Sequence, residues 1–141
     1  MAAIDFYSED ILFKPSKPRK TKQWIQEVIS REGKTLEHLN YIFCSDAYLL
    51  SINEKYLRHK TLTDIITFDS SEKKGIIEGE IFISVERVRS NAIDLKTTFD
   101  DELHRVIIHG VLHLIGYFDK SASDKALMRK KEDAYLSLRH Q

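Results

Sequence analysis

One segment in the second half of the chain is apolar on almost every side of a predicted helix. Thr98 followed by Asp101 resembles a capping box and marks where this helix begins. Its apolar residues recur at helical spacing: Leu103, Val106, Ile107, Val111, Leu112 and Ile115. Such a helix is normally buried at the centre of a domain rather than laid on its surface. The rest of the chain must therefore fold around it.

Four other segments have the composition of β-strands. Residues 65–68 and 76–84 look extended, and the polar turn 69–75 between them predicts an antiparallel pair. Alternating apolar residues from Leu39 to Phe43 predict a third strand, and residues 1–7 add a fourth. A sheet of about four strands is expected to cover the buried helix.

Four amphipathic helices complete the pattern. Gly33 ends the first helix, Ser123 caps the last, and residues 14–22 form a basic loop before the first. The apolar stripes of the helices are Trp24, Ile25, Val28 and Ile29; Leu49, Ile52 and Tyr56; Val88, Ala92 and Leu95; and Leu127, Met128, Ala134, Tyr135 and Leu138. Together the patterns predict about four strands and about five helices.

Composition limits the remaining possibilities. The 141 residues of the chain, 1–141, fit a single domain. Lys plus Arg and Asp plus Glu both number 22, so net charge gives no case for a polyanion partner and RNA affinity must come from local patches. Cys44 lies in an apolar run and is expected to be a buried, reduced thiol. No leader or membrane span is visible, which predicts a cytoplasmic location.

The central helix carries a metal-ligand pattern. His109 and His113 are four residues apart, so their imidazoles project from one face of the helix. Gly110 suggests that another group approaches the helix backbone closely, and Gly116 suits the left-handed conformation that ends a helix. The turn after Gly116 returns the chain toward the histidines, so Asp119 is positioned as a third ligand of one divalent cation. A pair of core histidines satisfied by hydrogen bonds is the alternative.

The spacing of this pattern is that of the HExxHxxGxxH zinc signature, in which a helix, a glycine turn and a third ligand hold zinc with one open position. Two residues depart from that signature. Gly110 replaces the glutamate that serves as general base in those peptidases, and Asp119 replaces the usual third histidine. The sequence therefore keeps the metal cage but loses the peptidase base.

The segment His109-Gly-Val-Leu-His113-Leu-Ile-Gly-Tyr117 closely resembles the HGxLHLxGY signature of the YbeY-type endoribonucleases. Upstream, Thr63–Phe68 is similar to the family's T-D-V-L-S-F strand and Gly79–Ser84 to its G-D-I-x-I-S strand, and downstream Met128 and Glu132 match. The resemblance covers roughly residues 40–135. It implies a zincin-like α+β fold, with a mixed sheet of about four strands packed with about five helices, and a metal-dependent endoribonuclease. Single-stranded RNA is the expected substrate, because an exposed strand can enter a cleft that a duplex cannot.

The resemblance also implies a role in maturation of small-subunit ribosomal RNA and in ribosome quality control. Ribosomal RNA and the small subunit or its associated factors would be the partners, with no membrane and no DNA. One Zn²⁺ would be held by His109, His113 and Asp119, the last at the family's third histidine. Because a carboxylate replaces an imidazole there, the bound cation should be a weaker Lewis acid, and Mn²⁺ or Fe²⁺ becomes an alternative.

The family's arginine follows the aromatic residue of an L-N-x-x-Y-R segment, whereas here Leu57 follows Tyr56 and Arg58 comes next. Arg58, or Lys60 beside it, is the candidate catalytic cation for a scissile phosphate. A solvated basic loop is the alternative. Two other functions remain open: a metallopeptidase-like hydrolase, and a non-catalytic module with a structural metal that docks on the ribosome. A non-haem iron oxygenase also uses two histidines and a carboxylate, but usually takes them from strands.

Overall fold

A computed structural model describes residues 3–58 and 63–139. In chain order these residues form β1 (Ile4–Ser8), α1 (Pro18–Arg31), β2 (Thr35–Cys44), α2 (Asp46–Ile52), a π-helical turn (Asn53–Leu57), β3 (Ile65–Asp69), β4 (Ile76–Ser84), α3 (Val85–Asp94), α4 (Phe99–Ile115) and α5 (Ala122–Arg139). The predicted α+β class is confirmed. Among the described residues, no helix is both long enough and apolar enough to cross a bilayer.

The four strands form one mixed sheet in the order β1-β2-β4-β3. β1, β2 and β4 run parallel, and β3 is an antiparallel edge strand beside β4. The antiparallel pair predicted from the turn at 69–75 is confirmed, with Ile65 opposite Ile83 and Asp69 opposite Gly79. β1 is the other edge strand, and it confirms the fourth strand predicted at residues 1–7, of which residues 1 and 2 lie outside the described residues.

Successive residues of the strands pack into two cores on opposite faces of the sheet, because side chains alternate along a strand. Ile65, Ile81 and Ile83 belong to the larger core, which the sheet shares with α1, α3, α4 and α5. Ile66 joins the smaller core, where Cys44 and Leu49 of α2 are buried. The burial predicted for Cys44 is thus confirmed. The larger core is the one that positions α4.

Two features set α4 close against the sheet. A Cβ at Gly110 would lie 2.9 Å from Cδ1 of Ile65 and 3.0 Å from Cδ1 of Ile81, so the glycine allows the helix to approach both strands. The hydroxyl of the buried Tyr41 donates to the carbonyl of Ile107 at 2.9 Å. The close approach expected at Gly110 is therefore made by strand side chains. Together the two contacts fix the distance of α4 from the sheet and its rotation about the helix axis.

Two helix boundaries correct the predictions. α1 begins at Pro18, inside the segment 14–22 expected to be a loop, because proline is favoured in the first turn of a helix. Ser121 rather than Ser123 caps α5, since its hydroxyl accepts from the backbone N–H of Asp124 at 3.0 Å. Leu127, expected on the inner side of α5, is exposed. The buried residues of α5 are Met128, Glu132 and Tyr135.

Gly79 supplies a test of the β3–β4 pairing. A Cβ at this position would overlap the backbone carbonyl oxygen of Phe68, and backbone cannot move aside as a side chain end can. We expect Gly79→Ala to lower the free energy of unfolding by about 2 kcal/mol or more. The neighbouring exposed Glu80→Ala should stay within about 0.5 kcal/mol of wild type. Urea unfolding measures both, and equal stability of the two variants would contradict this packing.

Candidate active site

His109 is held between two carboxylates at the open side of α4. Its Nδ1 lies 2.7 Å from Oε2 of Glu132, and its Nε2 lies 3.6 Å from Oδ2 of Asp119. Because a carboxylate accepts, the short contact places a proton on Nδ1 and fixes the plane of the ring. Nε2 is thereby directed at Asp119, in a position that is open to solvent.

Glu132 is the buried member of this group, with 5% of its surface exposed. Nη1 of Arg105 donates to its second carboxylate oxygen at 2.8 Å, while Nη2 of Arg105 donates to Asp133 at 2.7 Å. Burying a carboxylate is unfavourable unless hydrogen bonds and opposite charge compensate for lost water. Arg105 and His109 supply both, so Glu132 holds His109 firmly from α5.

The turn after α4 brings Asp119 to the imidazole. Gly116 has a φ of 126°, a conformation that residues with a Cβ rarely adopt, and so ends the helix sharply. The backbone N–H of Tyr117 returns to the carbonyl of Leu112 at 3.0 Å. The chain then reverses, and Asp119 comes to lie beside His109 as the spacing indicated.

His113 lies one turn beyond His109 on α4 and is exposed to solvent. In the part of the chain that the structure describes, no three His, Cys, Asp or Glu side chains are gathered in a ready-made metal cluster. The structure therefore brings His109 and Asp119 together without closing the predicted three-ligand set. The ligand set His109, His113 and Asp119 stays a prediction.

His109 and Asp119 open onto a cleft of about 580 Å³ between the start of β3, α4 and α5. Asp64 and Glu102 line its floor together with Glu132. Lys125 and Arg129 of α5 supply basic side chains to the same cleft. Acidic groups thus lie beside His109, while cations from α5 are available to an anionic ligand.

The cleft perturbs the titration of its own residues. Burial raises the pKa of Asp64, although His109 and a 3.3 Å hydrogen bond from Asn91 oppose the rise. Burial likewise raises the pKa of Glu102. For His109, burial disfavours the charged ring, but the hydrogen bond and charge of Glu132, with Asp119, outweigh it and raise the pKa. Shifted pKa values on three neighbouring groups are typical of a functional cleft.

Comparison with known proteins agrees with the motif. The family model described as Endoribonuclease YbeY matches residues 5–139. The chain belongs to the YbeY family. An Endoribonuclease YbeY of Cytophaga hutchinsonii is 51% identical over 136 residues, covering 96% of this chain and 95% of the relative. That of Flavobacterium psychrophilum is 56% identical over 117 residues, covering 83% of each chain. The solution structure of TM1509 from Thermotoga maritima is 29% identical, covers 96% of this chain and 88% of its own, and superposes with a TM-score of 0.70.

The YbeY resemblance singled out Arg58 as a catalytic candidate. Arg58 is exposed, has a φ of 57° and ends the π-helical turn Asn53–Leu57. Arg58 is not among the described residues that line the cleft. The arginines that do line it are Arg105 and Arg129. Lys60 lies outside the described residues. The catalytic role of Arg58 therefore stays a prediction.

Three further residues of the site were not identified from the sequence. Asp64 lies directly before β3 and lines the cleft. Glu132 was matched only to the family pattern, although a carboxylate four residues after Met128 on a buried helical stripe was a usable signal. Glu32 binds Tyr117 from 85 residues away, and a contact between such distant segments leaves no local pattern.

The ion pairs of Arg105 supply a matched pair of variants. Glu132→Ala would leave Arg105 and His109 without their buried partner, so we expect a loss of about 3 kcal/mol in the free energy of unfolding. Asp133→Ala removes the exposed partner of the same arginine and should cost less than about 1 kcal/mol. Urea unfolding at neutral pH compares them. Similar losses for the two variants would show that Glu132 is not the anchor of the cleft.

Proposed function

We propose that this protein is a metal-dependent endoribonuclease that processes ribosomal RNA. The curated relatives share the name endoribonuclease, and the observation that carries the mechanism is the line Glu132–His109–Asp119 at an open cleft. The proposed substrate is single-stranded RNA of the small ribosomal subunit, and subunit-associated factors are the proposed partners. The protein acts in the cytoplasm as a single domain spanning residues 1–141.

The donor set fits one Zn²⁺. Zinc holds nitrogen and oxygen ligands at about 2.1 Å, so two ligands of a tetrahedral ion lie about 3.4 Å apart. The separation of 3.6 Å between Nε2 of His109 and Oδ2 of Asp119 is close to that value. His113, on the same face of α4 and exposed, is free to turn its ring toward the pair. The carboxylate among the ligands leaves Mn²⁺ and Fe²⁺ as alternatives.

The side chains of the cleft have separate tasks. Glu132 keeps the proton of His109 on Nδ1, which leaves Nε2 free to donate its lone pair. Lys125 and Arg129 attract the phosphates of an RNA strand. A bound divalent metal supplies Lewis acidity at the scissile phosphate and acidifies water. Arg58, which is not among the residues that line the cleft, would supply a guanidinium for charge that develops on the phosphate oxygens.

Two alternatives are less favoured. A metallopeptidase needs a general base where this chain has Gly110, and a Cβ there would already collide with Ile65. A ribosome-docking module with a structural metal would not need Nε2 of His109 to face an open cleft. A docking module nevertheless makes a distinct prediction. A variant that is folded but inactive would still restore ribosomal RNA maturation.

The ligand assignment is tested by removing each ligand. We expect His109→Ala, His113→Ala and Asp119→Asn each to lower zinc affinity and RNA cleavage by at least about a hundredfold. Loss of a residue that only supports a metal ligand costs up to about a hundredfold, and loss of a ligand itself should cost at least as much. His38→Ala removes an exposed histidine of β2 and should change neither. Calorimetric zinc titration and cleavage of a single-stranded RNA, with and without chelator, measure the effects. Cleavage that survives both chelator and His109→Ala would refute the metal-dependent mechanism.

Arg58 is tested against Arg129, which lines the cleft. If Arg58 stabilises charge on the phosphate, Arg58→Ala lowers kcat at least about tenfold. Lys55→Ala, on the same π-helical turn, is the matched control and should leave kcat unchanged. An unchanged kcat in Arg58→Ala, together with a large loss in Arg129→Ala, would transfer the role to Arg129.

A further inference from the structure

Glu32 forms a part-buried hydrogen-bonded junction at the end of α1. Its side chain is 9% exposed. Three donors converge on the carboxylate: the hydroxyl of Tyr117 at 2.5 Å, the hydroxyl of Tyr135, and Nζ of Lys131 at 3.1 Å. These donors come from the turn after α4 and from α5, so one carboxylate joins three separate parts of the chain.

The carboxylate stays ionised in this setting. Burial on its own would raise the pKa of Glu32, but the hydrogen bonds from Tyr117, Tyr135 and Lys131 and the charge of Lys131 outweigh burial and lower it. Hydrogen bonds to an ionised acceptor are roughly twice as strong as those between neutral groups. The junction is therefore a firm point of attachment for the hydroxyl of Tyr117.

Tyr117 is the last strongly held residue before Asp119. Its backbone N–H is bonded to Leu112, its ring lies 5.5 Å from Nζ of Lys131, and its hydroxyl is bonded to Glu32. Phe118 next to it is 64% exposed, and Asp119 and Lys120 are exposed as well. The path of the chain toward His109 is thus set at Tyr117.

We propose that Glu32 is a positioning residue for Asp119. Through the hydroxyl of Tyr117, Glu32 keeps the turn in the place where the carboxylate of Asp119 meets His109. This role rests on the proposed function, in which Asp119 is a metal ligand. Glu32 itself is not among the described residues that line the cleft. Glu32 holds the turn, before any metal binds, in the geometry that the metal requires. Metal binding then does not have to order a mobile turn, which would lower the affinity.

Tyr135 provides a matched comparison. Like Tyr117, it donates its hydroxyl to Glu32, and it lies on α5 rather than on the turn. Its backbone carbonyl accepts from Nε1 of Trp24 at 2.8 Å, a bond that loss of the hydroxyl leaves in place. Tyr117→Phe and Tyr135→Phe therefore each remove one hydroxyl from the same carboxylate, and only the first releases the turn.

The experiment compares these two variants in two measurements. In metal-free protein, amide hydrogen exchange of residues 117–120 should be faster in Tyr117→Phe and unchanged in Tyr135→Phe. In calorimetric titration with Zn²⁺, Tyr117→Phe should bind about tenfold more weakly, whereas Tyr135→Phe should stay within about twofold of wild type. Unfolding free energies of both variants show whether their folds are equally intact.

Each outcome decides the proposal. Unchanged exchange in Tyr117→Phe, or an equal loss of zinc affinity in the two variants, would overturn the positioning role. If wild-type protein binds neither Zn²⁺ nor Mn²⁺, the proposed metal function fails. The exchange comparison still decides in that case whether Glu32 holds the turn. Faster exchange confined to Tyr117→Phe would support the positioning role on its own.

Discussion

The hydrogen bond from His109 to the buried carboxylate of Glu132 is the contact on which the cleft depends. Glu132 fixes both the orientation of the imidazole and the position of its proton, and Arg105 holds Glu132 in turn. If Glu132 were removed, Nε2 of His109 would lose its direction toward Asp119, and Arg105 would lose its buried partner. The bond also joins α4 to α5, so the chemistry and the packing of the two helices share one interaction.

The remainder of the fold serves to hold α4 in place. Gly110 lets the helix lie against Ile65 and Ile81, and the buried hydroxyl of Tyr41 fixes its backbone at Ile107. With the buried side of α4 committed to the sheet, His109 is left at the boundary between core and solvent. That boundary is where a side chain can be rigid and still reach a substrate.

The features predicted from the sequence are local ones. The periodicity of α4, the glycine turn at Gly116 and the β3–β4 hairpin each depend on neighbouring residues, and all three have the predicted form. The errors have local causes as well: proline at the start of α1 and the choice between two nearby serines as the cap of α5. The parts that were missed join distant segments. Asp64 reaches the cleft from the residue before β3, and Glu32 reaches Tyr117 across the domain. The spacing of residues along the chain does not indicate such contacts.

We expect a single divalent cation to bind at Nε2 of His109, the carboxylate of Asp119 and His113. The decisive experiment is a crystal grown with Zn²⁺, with diffraction recorded on either side of the zinc absorption edge. One anomalous peak should lie about 2.0 to 2.2 Å from Nε2 of His109 and from a carboxylate oxygen of Asp119, with His113 turned in as the third ligand. Zinc bound elsewhere, with the bond between His109 and Glu132 intact and Asp119 free, would contradict it.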